Sequence, residues 1–502
     1  MMYILPVFAI IIILGIRTML WHVQNWQLRE YRIDRIFAHF RTEDGQKDLL
    51  NLWFFRGILP RPKLSFRVLL ILGVFLLLSA LEIFALAHFV NLTISFIIWE
   101  RTIFLLIGLS VIVSKIPVSL GQELLFLKAR KIIEGAKNVT TIGITGSFGK
   151  SSTKEIMSHI CEQKFGSENV LKNPENNNTE IAIARLILKN KEFFIETQKD
   201  NKIFICEIAA YKKGEIKKVC KFVQPDFGIL TGVNSQHLEL FGSQRNIVEA
   251  KFELAECCKE KVFFNADNGL LRDIFAEKSI PAEKVGVKKS ETKILKTLSD
   301  KTEFKFSGQS MILNWPGEFF VSNALLCLNV FAELGGTSEE MRRYLNTIPP
   351  LNRALKIEDF KDGKVLKDLY SANPNGVMSA IKHLDRVSNP GSENLKNKSE
   401  PGFNSPLPQN KGKKIFVGIP LRELGDDAHK IHEQIFGSLR NINAEVFWMK
   451  EDFSELGKKI CGDKFHGDNL GVLKDMITRF GKNDAVLLES RLQDSVLEMF
   501  SD

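Results

Sequence analysis

Two patterns of hydrophobic and polar positions divide the chain. Up to about residue 120 the apolar residues come in long unbroken runs. From residue 139 they come in short runs separated by polar, helix-like stretches. Met1–Leu20 is almost wholly apolar as far as Arg17, so its positive charge follows the apolar run. A signal peptide has the reverse order, and this segment reads as an uncleaved anchor. Val68–Val90 is long enough to cross about 30 Å of hydrocarbon at roughly 1.5 Å per residue. Thr102–Leu120 is a third and shorter span, with Lys115 near one end where its stem can snorkel. The expected spans are thus about 1–20, 68–90 and 102–120. Glu82 and His88 fall inside the second and are expected to face a helix neighbour or the interface. Between the first two spans, Ile33, Ile36, Phe37 and Phe40 recur at helical spacing, with Trp21 and Trp26 upstream. Such a helix lies in the headgroup region or packs on the soluble part, and the pattern alone fits both.

The second pattern predicts an α/β fold. Val139–Thr145 is a short β-type run, and similar runs alternate with helical stretches to about residue 335, as in a mostly parallel sheet covered on both faces. A second α/β domain, Rossmann-like, is expected over 336–502. Residues 388–413, rich in Asn, Pro, Ser, Gly and Lys, read as a disordered insertion within it, and Lys414–Gly418 resumes as a buried strand.

Composition changes this picture in one respect. The chain has 502 residues, 45% hydrophobic and 25% charged, which excludes wholesale disorder. Of its net +9, residues 17–67 supply +5, from ten Lys/Arg against five acids. The surplus therefore sits beside the apolar spans and not on a folded domain, which points to membrane lipid as a partner and away from nucleic acid. Positive charge stays cytoplasmic, so the 17–67 loop is expected inside. Three spans then deliver everything after residue 120 to the cytoplasm, as a multi-pass protein of the cytoplasmic (inner) membrane. Seven cysteines without a CxxC pair suggest reduced, buried thiols and no structural zinc.

The chemistry begins where Val139–Thr145 ends. Gly146-Ser147-Phe148-Gly149-Lys150-Ser151-Ser152 follows the strand and opens a helix, the arrangement that phosphates require. Glycines let backbone N–H groups converge on an anion, and the helix N-terminus adds a favourable dipole. Lys150 would hold the outer phosphates and the Ser151 hydroxyl would bind Mg²⁺. The spacing departs from GxxxxGK[ST], since Ile144 holds the first glycine's place and glycines stand at 143, 146 and 149.

That variant spacing resembles the Mur ligases, the ATP-dependent amide-forming enzymes of peptidoglycan synthesis. The resemblance continues in order through Asn176-Asn177-Asn178-Thr179-Glu180, Glu207 at a strand end, Gln224-Pro225-Asp226, and Asn234-Ser235-Gln236-His237. It goes on through Glu249-Ala250-Lys251, Pro316-Gly317, Asn323-Ala324 and Asn352-Arg353. Asp368-Leu369-Tyr370-Ser371-Ala372-Asn373-Pro374, Arg422–Gly425 and Ser490-Arg491 complete the series. The Tyr370–Pro374 run is most similar to the member that adds D-Ala-D-Ala to UDP-MurNAc-tripeptide.

The resemblance implies an acyl-phosphate ligase using ATP and Mg²⁺ on a peptidoglycan precursor with an amino-acid or dipeptide substrate. It implies Ser151, Glu207 and His237 as metal ligands and Lys251 as a carbamate supporting a second metal. By the same token Asn323 would contact adenine, Asp368 the ribose, and Arg353 the γ-phosphate. Lys150, Lys251, His237 and Arg353 form the expected catalytic set, and Gly146 to Ser152 the phosphate cradle. Several positions depart from the family: Phe319-Phe320 replaces His-Asn, Lys367 replaces an Asp, Ser371 an Asn, and Leu488-Glu489 a Lys-Gly. The uridine-binding N-terminal domain is absent, and the membrane region occupies its place. A poly-γ-glutamate synthase-like ligase and a non-catalytic nucleotide-binding membrane scaffold are the alternatives.

Overall fold

Apolar side chains that water would reject cover the outside of the first unit. The structure, a computed structural model, describes residues 4–41, 62–175, 177–196, 201–236, 238–297, 301–315, 317–349, 355–369, 373–389 and 412–500. His237, Arg353, Tyr370–Ala372 and most of the expected insertion 388–413 lie outside these residues. The chain divides into two compact units, Met1–Leu125 and Phe126–Asp502.

In the first unit, helices Ile4–Leu28, Ile33–Arg41 and Phe66–Leu86 and the start of Leu92–Gly135 bury Val23, Trp26, Ile36, Ile71, Phe75, Trp99 and Ile103 against one another. Ser65 caps the third helix by accepting from the Val68 N–H. Leu69, Leu76, Leu81, Phe84, Leu105, Leu109 and Ile112 face outward. An apolar surface this extensive is unusual on a protein surrounded by water. Phe66–Leu86 and Leu92–Gly135 are long and apolar enough to cross a membrane, by length and composition. The expected span 102–120 is no element of its own but part of the 44-residue helix Leu92–Gly135, which carries Pro117 inside it. Glu82 faces a helix neighbour, accepting from the Thr102 hydroxyl at 2.8 Å.

Among its described residues the second unit holds three sheets. Strands β1 (Val139–Thr145), β2 (Val170–Lys172), β3 (Lys202–Glu207), β4 (Phe227–Leu230), β5 (Lys261–Asn265) and β6 (Glu283–Val287) form a parallel sheet in the order β2-β3-β1-β4-β5-β6. β3 is buried along its whole length, as the strand of a sheet covered on both faces must be. Strands β7 (Ile294–Thr297), β8 (Thr302–Phe306) and β9 (Gln309–Leu313) make a small antiparallel sheet. Helices Lys150–Phe165, Glu318–Glu333 and Ser338–Asn346 join these two sheets in one core through Ile156, Ile160, Leu325, Leu328, Phe331 and Leu345. Each such buried side chain contributes roughly 1.5–3 kcal/mol. Ser338–Asn346 thus packs with the central domain, and the next sheet starts at Lys356.

That sheet contains β10 (Lys356–Phe360), β11 (Gly363–Asp368), β12 (Lys414–Gly418), β13 (Glu445–Trp448), β14 (Phe465–Gly467) and β15 (Ala485–Glu489), in the order β10-β11-β15-β12-β13-β14. Only the β10–β11 pair is antiparallel. β12 is buried throughout, as its apolar run predicts. In open parallel sheets of this kind ligands collect at the carboxyl ends of the strands. The loop after β1 and the ends of β3, β11 and β15 all lie at such positions.

Candidate nucleotide and metal site

The helix that follows β1 begins without a side-chain cap. Its N-cap is Gly149, held at φ 78°, so the first backbone N–H groups of Lys150–Phe165 are left for an anion. A Cβ at Gly149 would lie 2.9 Å from Asn323 Oδ1, which adds a steric reason for glycine to the conformational one. Thr231, at the end of β4, braces the loop: its hydroxyl donates to the Phe148 carbonyl, and the Ser147 N–H donates to Gly232 O at 2.7 Å.

Lys150 folds over this loop, its ammonium donating to Gly146 O at 2.7 Å and Ser147 O at 3.3 Å. Burial pushes its pKa below the ordinary lysine value, and the Glu207 carboxylate opposes that shift. The Ser151 hydroxyl donates to Glu207 Oε1 at 3.2 Å, which brings together two of the three expected metal ligands. Both are hard oxygens suited to Mg²⁺. His237 lies outside the described residues, and among the described residues no group of three His, Cys, Asp or Glu side chains is arranged to hold a metal.

Glu207 is almost fully buried, and its partners account for how it stays ionised. Lys154 approaches Oε2 at 3.1 Å, with side-chain exposures of 0% and 3% for lysine and glutamate. Asn178 donates to Oε1 at 3.0 Å, and Asn173 bridges the backbone on both sides, donating to Glu207 O and accepting from its N–H. Burial alone would raise the carboxyl's pKa. The ammoniums of Lys154 and Lys150 and the Asn178 hydrogen bond outweigh burial and hold it below the usual carboxylate range. Lys154 and Asn173 were not singled out from the sequence. The one signal for Lys154 is its spacing, which puts it on the same helix face as Lys150 and Ser151.

Lys251, on helix Gln244–Cys257, is buried and donates to Ala210 O at 3.1 Å, just beyond the end of β3. Burial first, and then the charge of Lys150, push its pKa down to about 7. Asn323 sits behind the loop and not in the open: it is 1% exposed and donates to Ser152 Oγ at 2.9 Å. Phe148 and Phe319 lie side by side at the mouth of the loop, ring centroids 5.6 Å apart.

Elements that flank the second six-stranded sheet reach the segment after β4 and the start of helix Glu318–Glu333. Asn234 bonds Asn375 at 3.1 Å, the Ser235 hydroxyl donates to Asp427, and Glu318 joins Lys289 to Arg386 at 3.4 and 3.3 Å. Asp368 ends β11 in register with Glu489 at the end of β15. Glu489 is 1% exposed, and neither carboxylate oxygen has a hydrogen-bond partner among the described residues. Burial, and then Asp368, push its carboxyl well above the usual range. Beside it Ser490 stands at φ 67° with a buried hydroxyl that also lacks a partner. The family resemblance, which has glycine at position 489, gave no warning of this carboxyl. Of the seven cysteines, all but Cys257 are buried.

Comparison with known proteins places this architecture. Residues 144–331 match the Mur ligase middle domain. The chain is 28% identical over 314 residues to the UDP-N-acetylmuramoyl-tripeptide–D-alanyl-D-alanine ligase of Synechocystis sp., covering 62% of each chain. To the enzyme of that name from Treponema pallidum it is 26% identical over 257 residues, 49% of this chain and 53% of that one. The chain therefore spans less than two thirds of the length of these relatives. Among solved structures, MurF from Acinetobacter baumannii superposes with a TM-score of 0.60 at 18% identity, over 76% of this chain and 79% of that one. MurF from Thermotoga maritima, in complex with ADP, gives 0.59 at 24% identity, over 76% and 83%.

Proposed function

We propose that this chain, which carries the Mur ligase middle domain and has the Mur ligase fold, is a membrane-anchored ATP-dependent ligase that forms an amide bond on a peptidoglycan precursor. The observation that carries this reading is the Ser151 hydroxyl against the Glu207 carboxylate, beneath Lys150 and an uncapped helix N-terminus. Triphosphate charge would meet the Lys150 ammonium and the free N–H groups of the loop, with Ser151 Oγ and Glu207 Oε1 as ligands to Mg²⁺. The metal, when bound, supplies charge neutralisation between the phosphates.

The reaction proceeds in two displacements. A carboxylate oxygen of the acid substrate attacks the γ-phosphorus, ADP leaves, and an acyl phosphate results. The neutral amine of the second substrate attacks the acyl carbon, inorganic phosphate leaves, and the amine gives up a proton. The protein's part is to hold the reactants in line and to place positive charge where negative charge builds up. Lys150 is placed for the second task. Lys251, with a pKa near 7, has a large neutral fraction at physiological pH, and the neutral amine is the form that adds carbon dioxide to become a carbamate. The names of the relatives favour UDP-MurNAc-tripeptide and D-Ala-D-Ala as the substrate pair.

Lys150→Ala tests the site. Among the described residues its side chain bonds loop carbonyls alone, so the variant should fold. Turnover of ATP should fall by several kcal/mol of transition-state stabilisation, on the order of 10²–10³-fold or more. A folded variant with unchanged ATP turnover would remove the nucleotide assignment.

A further inference from the structure

The carboxylate assigned to the metal already has a counter-ion. Lys154 sits 3.1 Å from Glu207 Oε2 with no solvent exposure, and its ammonium also donates to Asn173 O at 3.0 Å, so the ammonium is held between two acceptors. Lys150 adds a second positive charge close enough to act on the same carboxyl. The remaining oxygen, Oε1, accepts from Ser151 and Asn178. Two ammoniums thus face one carboxylate in a buried setting, and among the described residues no further acid completes a metal cage.

A divalent cation entering this pocket alone would meet net positive charge, in a medium where such repulsion is strong. Nucleotide phosphates reverse the sign. They draw Lys150 off the loop carbonyls and supply the negative charge that the metal requires. We infer that Lys154 is a positioning residue that clamps Glu207 through Oε2, leaves Oε1 as its single metal-facing oxygen, and makes metal binding conditional on bound nucleotide. The inference rests on the proposed nucleotide site and adds an order of binding to it. The metal enters with the nucleotide or after it, and the protein does not hold it beforehand.

Removing the clamp should undo the condition. Without Lys154 the buried carboxylate has lost its nearest counter-charge, the situation in which a buried ion is most costly and most readily satisfied by another cation. Arginine at this position keeps the charge and should keep the order.

Mn²⁺ titration followed by electron paramagnetic resonance, on the full chain in detergent, reads this without ligase turnover. A non-hydrolysable ATP analogue is present or absent, and nucleotide-only samples correct for free complexation. Wild type should bind Mn²⁺ at least about tenfold more tightly with the analogue, the scale of a typical coupling between sites. Lys154→Met should bind Mn²⁺ without nucleotide, and Lys154→Arg should behave as wild type. Equal Mn²⁺ affinity in wild type with and without the analogue overturns the inference, as does a folded Lys154→Met that behaves like wild type. Should Lys154→Met not fold, the wild-type and Lys154→Arg titrations decide. Binding of a fluorescent ATP analogue in metal-free buffer is measured alongside. Its absence overturns the nucleotide site itself, and its presence with nucleotide-independent Mn²⁺ overturns only the clamp.

Discussion

A buried carboxyl without partners is costly unless it keeps its proton, and Glu489 is such a group. Burial and the neighbouring Asp368 raise its pKa in the fold, so the folded chain binds a proton that the unfolded chain releases. For a raised pKa, the stabilisation is fully present below the unfolded value of about 4.3 and is lost as pH rises toward the folded one. Glu489→Gln removes that dependence while keeping the shape of the neutral acid. The variant should melt higher than wild type at pH 8, with a gap that narrows as pH falls toward 5, by up to about 1.4 kcal/mol per pH unit. Thermal melts of both chains across that range check it, and a pH-independent gap would mean that Glu489 is ionised in the fold. At this scale the sequence was legible where residue type and position act together. Ser151 could be read from the glycine loop it follows, and Glu207 was paired with it through the family resemblance. Lys154 could not be read in the same way, because a lysine carries no mark of burial and most lysines on helices are solvated. The resemblance gives Asn323 a part toward adenine, but its amide bonds Ser152 beneath the loop.

Elements were read more reliably than their limits. The run Val139–Thr145 is the strand β1 with those bounds, and Lys414–Gly418 is the buried strand β12, because a strand buried on both faces leaves a continuous apolar run. The central domain was expected to end near 335. The next helix nevertheless joins its core, since the apolar face of Ser338–Asn346 finds its partners there. In the apolar first unit the expected spans 68–90 and 102–120 fall on helices Phe66–Leu86 and Leu92–Gly135, which are long and apolar enough to cross a membrane. The second extends far beyond its apolar window because nothing after Lys115 breaks it; even Pro117 is accommodated. Its 44 residues measure about 66 Å, so only part can lie within roughly 30 Å of hydrocarbon. If these two helices form a hairpin in the membrane, the turn at 87–91 lies outside. The basic stretch before Phe66 and the ligase domains then share the cytoplasmic side. Single cysteines at 89–91 should react with an impermeant thiol reagent in intact cells, and one at Ser290 should not. Labelling at 290 from outside would leave the nucleotide site without ATP and would defeat the proposal of an anchored cytoplasmic ligase.

At the scale of the second unit, the two six-stranded sheets are joined through the helices and loops between their strands. The phosphate loop and Glu207 end strands of one, while Asp368 and Glu489 end strands of the other. Contacts through Asn234–Asn375, Ser235–Asp427 and Glu318–Arg386 join the two. A nucleotide on the loop would have the second sheet's strand ends on the far side of this junction, where an incoming amino substrate could be held against an activated acid. In the proposed reaction ATP activates that acid by phosphorylation. The direct measurement supplies the full chain in detergent with ATP, Mg²⁺, D-Ala-D-Ala and UDP-MurNAc-tripeptide carrying ¹⁸O in its terminal carboxylate, and follows all products by mass spectrometry. The expected products are ADP, an amide, and inorganic phosphate that has taken up carboxylate ¹⁸O in step with amide formation. AMP carrying the label, or ADP formed with unlabelled phosphate and no amide, would contradict it.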